Sequence, residues 1–501
     1  MLRFTLTALG CKVNQYESEA IAHTLERGGL TRADSEAPAD LVVVNSCCVT
    51  TPAMRKTRQA IRRNVRAAST HGSMPAVLVA GCYSDYDAQR LLSVLEELGV
   101  PPGRRFVIGH HGDLARCLGD LLASLRAEGS QPRQTLPETA DRVDAGRDDG
   151  RMMAISGNSA GLGSEPSASP HSIRANRAAA VKRNAPGTNR LEGIERFEGH
   201  QRAFVKIQDG CDAFCTYCVV CYNRPVVRSR PSGDILDECR RLIDAGHREI
   251  VLCGVFLGAY GRPTAIRRKW DSTPDALADL LQTVGELPGL WRVRLSSLEP
   301  GDVTDCLLQV YRGMPAVAPH LHLPLQSGSD RILRRMNRQY TARQYVDTVA
   351  RLRDTLNRPA ITADVIAGFP SETEEDFART LEVVSECGLS KVHAFPFSAL
   401  EGTAAWTYRH EAPAPPVTRE RINRLAEIEG EMASAYRRQL VGDTLEGLVE
   451  TTCPAPGRRV AMTDRYLTVN FPDPADTARP GEVRTFRITA ATDTGLEGET
   501  C

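Results

Sequence analysis

Along most of the chain, short apolar runs alternate with amphipathic helical segments. Phe4-Thr-Leu-Thr-Ala-Leu, Leu41-Val-Val-Val-Asn and Ala76-Val-Leu-Val-Ala predict strands, with helical periodicity around Tyr16–Arg27 and Ala53–Arg66 between them. Continuously apolar strands separated by helices imply a parallel α/β sheet covered on both faces. A second series follows, with strands at Ala203–Gln208, Glu249–Gly254, Trp291–Ser297, His320–Gln326, Ile361–Phe369 and Lys391–Phe397. Its helices are predicted at Ser232–Ala245, Pro274–Gly285, Val303–Gly313, Ala342–Leu356, Glu374–Cys387 and Thr418–Arg437. These β/α units predict an open, partial (β/α)6 barrel with its chemistry at the carboxyl ends of the strands. From about Val441 the pattern changes to short strands, Thr444–Thr452, Arg459–Thr463, Tyr466–Asn470 and Val483–Ala490, separated by Pro/Gly turns. That fits a small antiparallel β-barrel. The stretch 128–195 is rich in Ser, Gly, Pro, Ala, Arg and Asp. It buries too little apolar surface to offset its ordering entropy and is expected to be a disordered linker. The expected division is therefore 1–127, the linker 128–195, 196–438 and 439–501.

Cysteines add chemistry to this frame. Cys11, Cys47 and Cys82 each stand just past the end of a predicted strand. Ligands of open α/β sheets bind at that edge, so three thiols distant in sequence are expected to converge. Free cysteines also serve as small core hydrophobes, which is the reading for Cys117, but the same strand-end position three times over argues against it here. Cys48 adjoins the set; Cys47 is assigned because it comes first after its strand. A denser group, Gly210-Cys211-Asp-Ala-Phe-Cys215-Thr-Tyr-Cys218, follows the first strand of the second series. Three thiolates on one loop suit a cubane iron–sulfur cluster, which usually takes four. An open metal position usually means chemistry. S-adenosylmethionine can fill it through its amino and carboxylate groups, and radical cleavage of that molecule is cofactor chemistry which the protein places. A structural zinc site is the alternative, but zinc wants four Cys/His ligands. Cys221 continues the spacing and leaves that alternative open.

Composition narrows the partners. The 62 basic and 62 acidic side chains cancel, so nucleic-acid binding would rest on local patches. One candidate is the helix after Cys47, with Arg55, Lys56, Arg58, Arg62, Arg63 and Arg66 opposite an apolar stripe of Met54, Ile61 and Val65. It reads equally as a solvated face or as a phosphate-binding footprint. No apolar run reaches the ~18 residues that span a bilayer. The protein is expected to be cytoplasmic, with its fifteen cysteines as thiols or metal ligands. Polar and glycine positions gather at the strand ends of the second series: Gly254, Gly258, Gly261, Ser296, Ser297, Glu299, Gln326-Ser327-Gly328-Ser329 and Gly368. Glycine there admits close backbone approach to a ligand. Asp364, within a strand, requires a partner.

Taken together, these stretches resemble the methylthiotransferase family of radical S-adenosylmethionine enzymes. The resemblance is carried by Leu9-Gly-Cys-Lys-Val-Asn-Gln-Tyr-Glu-Ser-Glu, Val44-Asn-Ser-Cys-Cys-Val-Thr, Ala80-Gly-Cys-Tyr, Lys206-Ile-Gln-Asp-Gly-Cys, Leu323-Pro-Leu-Gln-Ser-Gly-Ser-Asp and Gly368-Phe-Pro-Ser-Glu-Thr-Glu-Glu-Asp-Phe. It implies two [4Fe-4S] clusters and S-adenosylmethionine, with an auxiliary cluster on Cys11, Cys47 and Cys82 and the radical cluster on the catalytic Cys211, Cys215 and Cys218. It also implies cofactor contacts at Gly254, Ser296, Gln326, Ser327 and Gly328. The carboxy-terminal barrel resembles the OB-like TRAM module. Implied partners are the anticodon loop of tRNA and an electron donor such as flavodoxin or ferredoxin; no sulfur donor is implied. Arg58, Arg62, Arg224, Arg458 and Arg465 are the candidate RNA contacts. Three substrates compete within the family: threonylcarbamoyladenosine 37, isopentenyladenosine 37, and an aspartate of a ribosomal protein. The Gly10–Ser18 and Asn45–Thr50 stretches and Arg331–Thr341 are most similar to the threonylcarbamoyladenosine branch. A non-catalytic iron–sulfur RNA-binding protein is the competing class. The chain departs from the family pattern at Cys221, where proline is usual, in the run Tyr222-Asn-Arg-Pro-Val-Val-Arg that follows, where a Tyr-Ala-Arg-Gly-Arg-like run is usual, and at Phe256, where a small or polar residue is usual.

Overall fold

The computed structural model describes residues 2–34, 37–69, 74–110, 113–129, 193–270 and 274–501. The expected linker lies almost wholly outside the described residues. The chain forms two compact units, Met1–Gly193 and Ile194–Cys501.

In the first unit five parallel strands, β1 (Arg3–Ala8), β2 (Thr31–Arg32), β3 (Leu41–Ser46), β4 (Ala76–Gly81) and β5 (Arg105–Ile108), stand in the order β2-β1-β3-β4-β5. β3 and β4 are buried along their whole length, as their unbroken apolar runs require. Phe4, Ile21, Leu25, Leu41, Val43, Leu78, Phe106, Leu118 and Leu121 form the core. The helix Thr51–Ala68 starts from Thr50, whose side chain caps Ala53 N–H, with Pro52 in its first turn. The register pairs Ala8 with Asn45, and Ser46 with Gly81. The carboxyl ends of β1, β3 and β4 therefore lie level.

The second unit begins with β6 (Arg202–Asp209), β7 (Arg228–Ser229), β8 (Glu249–Gly254) and β9 (Arg292–Leu295), in the order β7-β6-β8-β9. A second sheet, β10 (His320–His322), β11 (Ala360–Ala367) and β12 (Lys391–Pro396), is parallel throughout. A parallel bridge between Val293 and Val317 links the two into a half-barrel. The strand expected to run to Gln326 stops at His322, because Pro324 has no N–H to donate. Leu323, Leu325 and Gln326 still donate to β11 carbonyls.

The carboxy-terminal strands β13 (Thr444–Val449), β14 (Arg458–Thr463), β15 (Thr468–Pro472), β16 (Val483–Ala491) and β17 (Leu496–Thr500) close into a barrel, β13-β14-β15-β17-β16. Its pairings are antiparallel except β15–β17, which is parallel. Glu249 and Arg292, each at a strand start, and Arg294 form a buried ion-pair group from which the arginines reach the Met462, Thr463 and Asp464 carbonyls. The closed barrel thus sits at the amino-terminal end of the β6–β9 sheet, away from the cysteine loop. Among the described residues no helix is long and apolar enough to cross a membrane.

Candidate functional site

The loop after β6 is shaped by Gly210. Its φ is +79°, and a Cβ there would lie 1.9 Å from the Val226 carbonyl oxygen. Only glycine fits. The Cys211 N–H donates to the Arg224 carbonyl at 2.9 Å, and Cys218 N–H to the Cys215 carbonyl at 3.0 Å. Asp212 anchors the loop by accepting from Thr264 Oγ1 at 2.7 Å and Ala265 N–H at 2.6 Å. Asn337 Nδ2 donates to the Ala213 and Phe214 carbonyls at 2.9 and 3.0 Å. Ala213, Phe256, Ala259 and Ala265 form an apolar cluster, with Cys211, Cys215, Val227 and Trp270 packed on it. Phe256, a departure from the family pattern, thus covers the base of the loop.

Cys211, Cys215 and Cys218 are partly exposed, whereas Cys221 is buried. Burial pushes the Cys218 thiol up to about 11, with Cys215 adding to the shift. Burial likewise raises Cys211 well above its ordinary value, partly opposed by the Ala213 N–H, and Cys215 and Cys218 raise it further. These thiols share one electrostatic environment, and a polynuclear metal cluster would compensate their charge. Arg338 Nη1 stands 3.1 Å from Cys215 Sγ. The donor set therefore fits a cluster held by three thiolates. Cys221 Sγ donates to the Cys218 carbonyl at 3.3 Å.

In the first unit the aligned strand ends gather Cys11, Cys47 and Cys82. Cys11 caps the helix Lys12–Arg27, and Cys82 opens the helix Cys82–Tyr86. Gly10, at φ +98°, would place a Cβ 2.9 Å from Cys47 Sγ, so it leaves room for that thiol. Burial raises the Cys47 thiol, against the Val49 N–H that lowers it, and Cys11 adds to the rise. Two buried asparagines tie the strand ends together. Asn14 Nδ2 donates to the Leu9 and Ser46 carbonyls, each at 2.9 Å, and Asn45 Nδ2 donates to the Asn14 carbonyl at 2.8 Å. Among the described residues, their buried Oδ1 atoms have no hydrogen-bond partner. Cys48 Sγ bonds the Cys82 carbonyl at 3.2 Å, which leaves Cys47 as the thiol facing Gly10. Cys11 and Cys47 thus interact at this edge and Cys82 opens the neighbouring strand end, although among the described residues no three Cys, His, Asp or Glu side chains stand together closely enough to hold a single metal ion.

The remaining candidates divide. Gly254 and Ser296 lie at strand ends as expected, and Gln326 adopts a left-handed φ of +64°. The Ser327 hydroxyl is buried 3.4 Å from Thr380 Oγ1, and the Gly328 N–H donates to that same oxygen at 2.9 Å. These two residues shape the turn. Asp364 finds its partner in His322 Nε2 at 3.2 Å. Two RNA candidates are corrected. Arg224 is buried and paired with Asp209 Oδ1 at 2.7 Å; Arg465 is buried and bonds Asp464 Oδ2 at 2.5 Å and the Asn357 carbonyl at 3.2 Å. Arg465 thus holds backbone in place, and Arg224 ties its segment to the carboxylate at the end of β6. Arg58 donates to Tyr83 Oη at 2.6 Å, Arg62 pairs with Glu97, and Arg458 pairs with Glu497. The exposed cations of the basic helix are instead Arg55, Lys56, Arg63 and Arg66. Arg267, Glu299 and Arg338 form a buried group beside the loop. Sequence reading placed Glu299 at a strand end but missed the two arginines, whose only signal was the family-like run Arg331–Thr341 around Arg338.

A three-thiol loop leaving the first strand of a parallel half-barrel, on this architecture, defines a radical S-adenosylmethionine iron–sulfur enzyme. Residues 205–384 match the Radical SAM superfamily, and residues 3–100 match the uncharacterized protein family UPF0004. Threonylcarbamoyladenosine tRNA methylthiotransferase MtaB of Chlamydia pneumoniae is 32% identical over 448 residues, 89% of this chain and 86% of that protein. The Bacillus subtilis (strain 168) protein of the same name is 31% identical over 92% of this chain and 89% of its own length. The tRNA-2-methylthio-N(6)-dimethylallyladenosine synthase of Zymomonas mobilis is 30% identical over 89% of this chain and 86% of its own. Among solved structures, the radical S-adenosylmethionine methyltransferase TsrM of Kitasatospora setae, with cobalamin and a [4Fe-4S] cluster bound, shares the fold. It has a TM-score of 0.50 and 15% identity, covering 92% of this chain and 77% of that one. The chain belongs to the radical S-adenosylmethionine methylthiotransferase family. Its cofactors are S-adenosylmethionine and [4Fe-4S] clusters.

Proposed function

We propose that this protein adds a methylthio group at C2 of N6-threonylcarbamoyladenosine 37 in the anticodon loop of tRNA. The observation that carries the reading is the identity of 32% and 31% to two relatives named for that nucleoside, spread over about nine-tenths of the chain. The 30% identity to the dimethylallyladenosine enzyme supports the isopentenyl substrate as the second reading.

Cys211, Cys215 and Cys218 would hold the radical cluster, and Cys11, Cys47 and Cys82 the auxiliary one. When bound there, the first cluster together with S-adenosylmethionine would supply hydrogen-abstracting radical chemistry. The chain's own part is to position and to exclude water. Gly210 sets the loop, Asp212 and Asn337 clamp it, and Phe256 with Trp270 seals its base against solvent. Arg338 neutralises charge beside Cys215. In the first unit, the asparagine pair fixes the thiols' strand ends. An unpaired loop base is recognised by stacking and by its exposed edges, and the exposed cations of the helix Thr51–Ala68 suit the flanking phosphates.

Mass spectrometry of tRNA nucleosides from cells with and without the gene tests this. Loss of 2-methylthio-N6-threonylcarbamoyladenosine is the expected result. Loss of the isopentenyl counterpart instead would select the second reading. Cys47→Ala should abolish methylthiolation while leaving S-adenosylmethionine cleavage, and Cys215→Ala should abolish both.

A further inference from the structure

We propose that Arg338, held in place by Glu299, is a positioning residue that sets the reduction potential of the cluster on Cys211, Cys215 and Cys218 by donating to the Cys215 sulfur. The inference rests on the reading that this loop carries a [4Fe-4S] cluster.

The segment bearing Arg338 is docked along the cysteine loop. Thr216 N–H donates to the Met336 carbonyl at 3.0 Å, and Thr216 Oγ1 donates to the Arg335 carbonyl at 2.9 Å. Asn337, at φ +58°, turns the chain and clamps two loop carbonyls. The Arg338 side chain is only 7% exposed. Its Nε donates to Tyr340 Oη at 3.2 Å, and its Nη2 meets Glu299 Oε1 at 2.5 Å. Nη1 points at Cys215 Sγ at 3.1 Å, with Tyr217 Oη at 3.4 Å. Glu299 is fixed from the other side by Arg267, which also holds Asp302 at 2.8 Å. Two cations and two anions thus make a neutral buried group, oriented so that its positive end meets a cluster ligand.

The electrostatic consequence has a definite sign. Reducing the cluster places further negative charge on its sulfurs. A donor or cation at a ligand sulfur stabilises that state and raises the potential, and the effect is strong where water is excluded. Glu299 lies one guanidinium further from the sulfur and opposes it weakly. Removing the Arg338 charge should therefore lower the potential, and removing the Glu299 charge should raise it. A residue serving packing alone would not give shifts of opposite sign.

The test uses the full chain with Cys11, Cys47 and Cys82 changed to Ala, so that one cluster contributes. Anaerobic reconstitution is followed by iron analysis and an EPR-monitored redox titration. Arg338→Gln should cut the reduced-to-oxidised ratio at a fixed potential about tenfold, a shift of ~59 mV for a one-electron couple. Glu299→Gln should raise that ratio. If Arg338→Gln takes up no iron, Arg338→Lys, which keeps charge but loses the fork, should lower the ratio less than tenfold. Unchanged ratios, or shifts in the same direction for the Arg338 and Glu299 variants, would overturn the inference, as would a parent loop that binds no cluster. If the parent binds a cluster and shows these shifts while cellular tRNA nucleosides are unchanged by gene loss, the tRNA assignment fails and this inference stands. Full tRNA product with no shift defeats this inference alone.

Discussion

Gly210→Ala is the sharpest probe of how the cysteine loop is held. The substitution adds one carbon, at a left-handed φ of +79°, 1.9 Å from the Val226 carbonyl oxygen and 2.5 Å from its carbon. The left-handed backbone alone costs about 1–2 kcal/mol for a residue with a Cβ. Ordinary contact begins near 3.4 Å, so the backbone must move by more than an ångström, and forced overpacking costs about 1–3 kcal/mol more. The sum, roughly 2–5 kcal/mol, is a large part of the 5–15 kcal/mol that holds a typical fold together. Gly199→Ala is the control: its φ is +72° but a Cβ would meet nothing within 4 Å, so it should show the backbone cost alone. All three tryptophans, Trp270, Trp291 and Trp406, lie in the second unit, so urea unfolding followed by tryptophan fluorescence reports that unit. Because Cys211 N–H is bonded to the Arg224 carbonyl of the displaced strip, Gly210→Ala should also lose about half the iron of the reconstituted chain. Equal unfolding midpoints for the two variants, with full iron content, would refute the close approach at Val226.

Three further outcomes follow from the same structure. Burial alone would raise the Glu249 carboxyl, but Arg294, Arg292 and Arg202 hold it below its ordinary 4.5. Its contribution to stability is therefore complete above pH 4.5 and is lost as pH falls through the depressed folded value. Glu249→Gln should flatten that acid dependence in tryptophan-detected melts and, by stranding two buried arginines, cost about 3–5 kcal/mol. Asn14→Ala leaves the Leu9 and Ser46 carbonyls without their donor, at about 1–3 kcal/mol each; hydrogen exchange of β1 and β3 should speed accordingly, and unchanged protection would contradict the tie. Reversing Arg55 and Arg66 to Glu should weaken tRNA binding and reduce the salt slope by about one for each phosphate that is no longer neutralised, whereas Arg465→Glu should unfold the barrel junction before it changes the salt slope.

Much of this molecule was legible in the chain. Buried parallel strands leave unbroken apolar runs, so β3, β4, β8 and β11 were visible, and so was the recurrence of Cys11, Cys47 and Cys82 at strand ends. β2, β5, β7 and β17 were not: two span only a pair of residues, and local pattern says little about so short a pairing. For β10 the pattern predicts a longer strand than the fold contains, because Leu321, Leu323 and Leu325 keep alternating through Pro324, where the ladder loses a donor. The basic residues misled most. Charge is visible in sequence, but its compensation is not, so Arg224 and Arg465 looked free until the fold paired them.

Cysteine spacing, the order of elements and hence the kind of cofactor chemistry were already set in the linear chain, because these depend on residue type and local period. Which groups meet across long separations emerged only from the folded arrangement: Arg338 at the Cys215 sulfur, Asn45 at the Asn14 carbonyl, Arg294 at the Thr463 carbonyl. Such contacts are made by groups converging from different helices, strands and loops, and burial rather than sequence neighbourhood sets their strength.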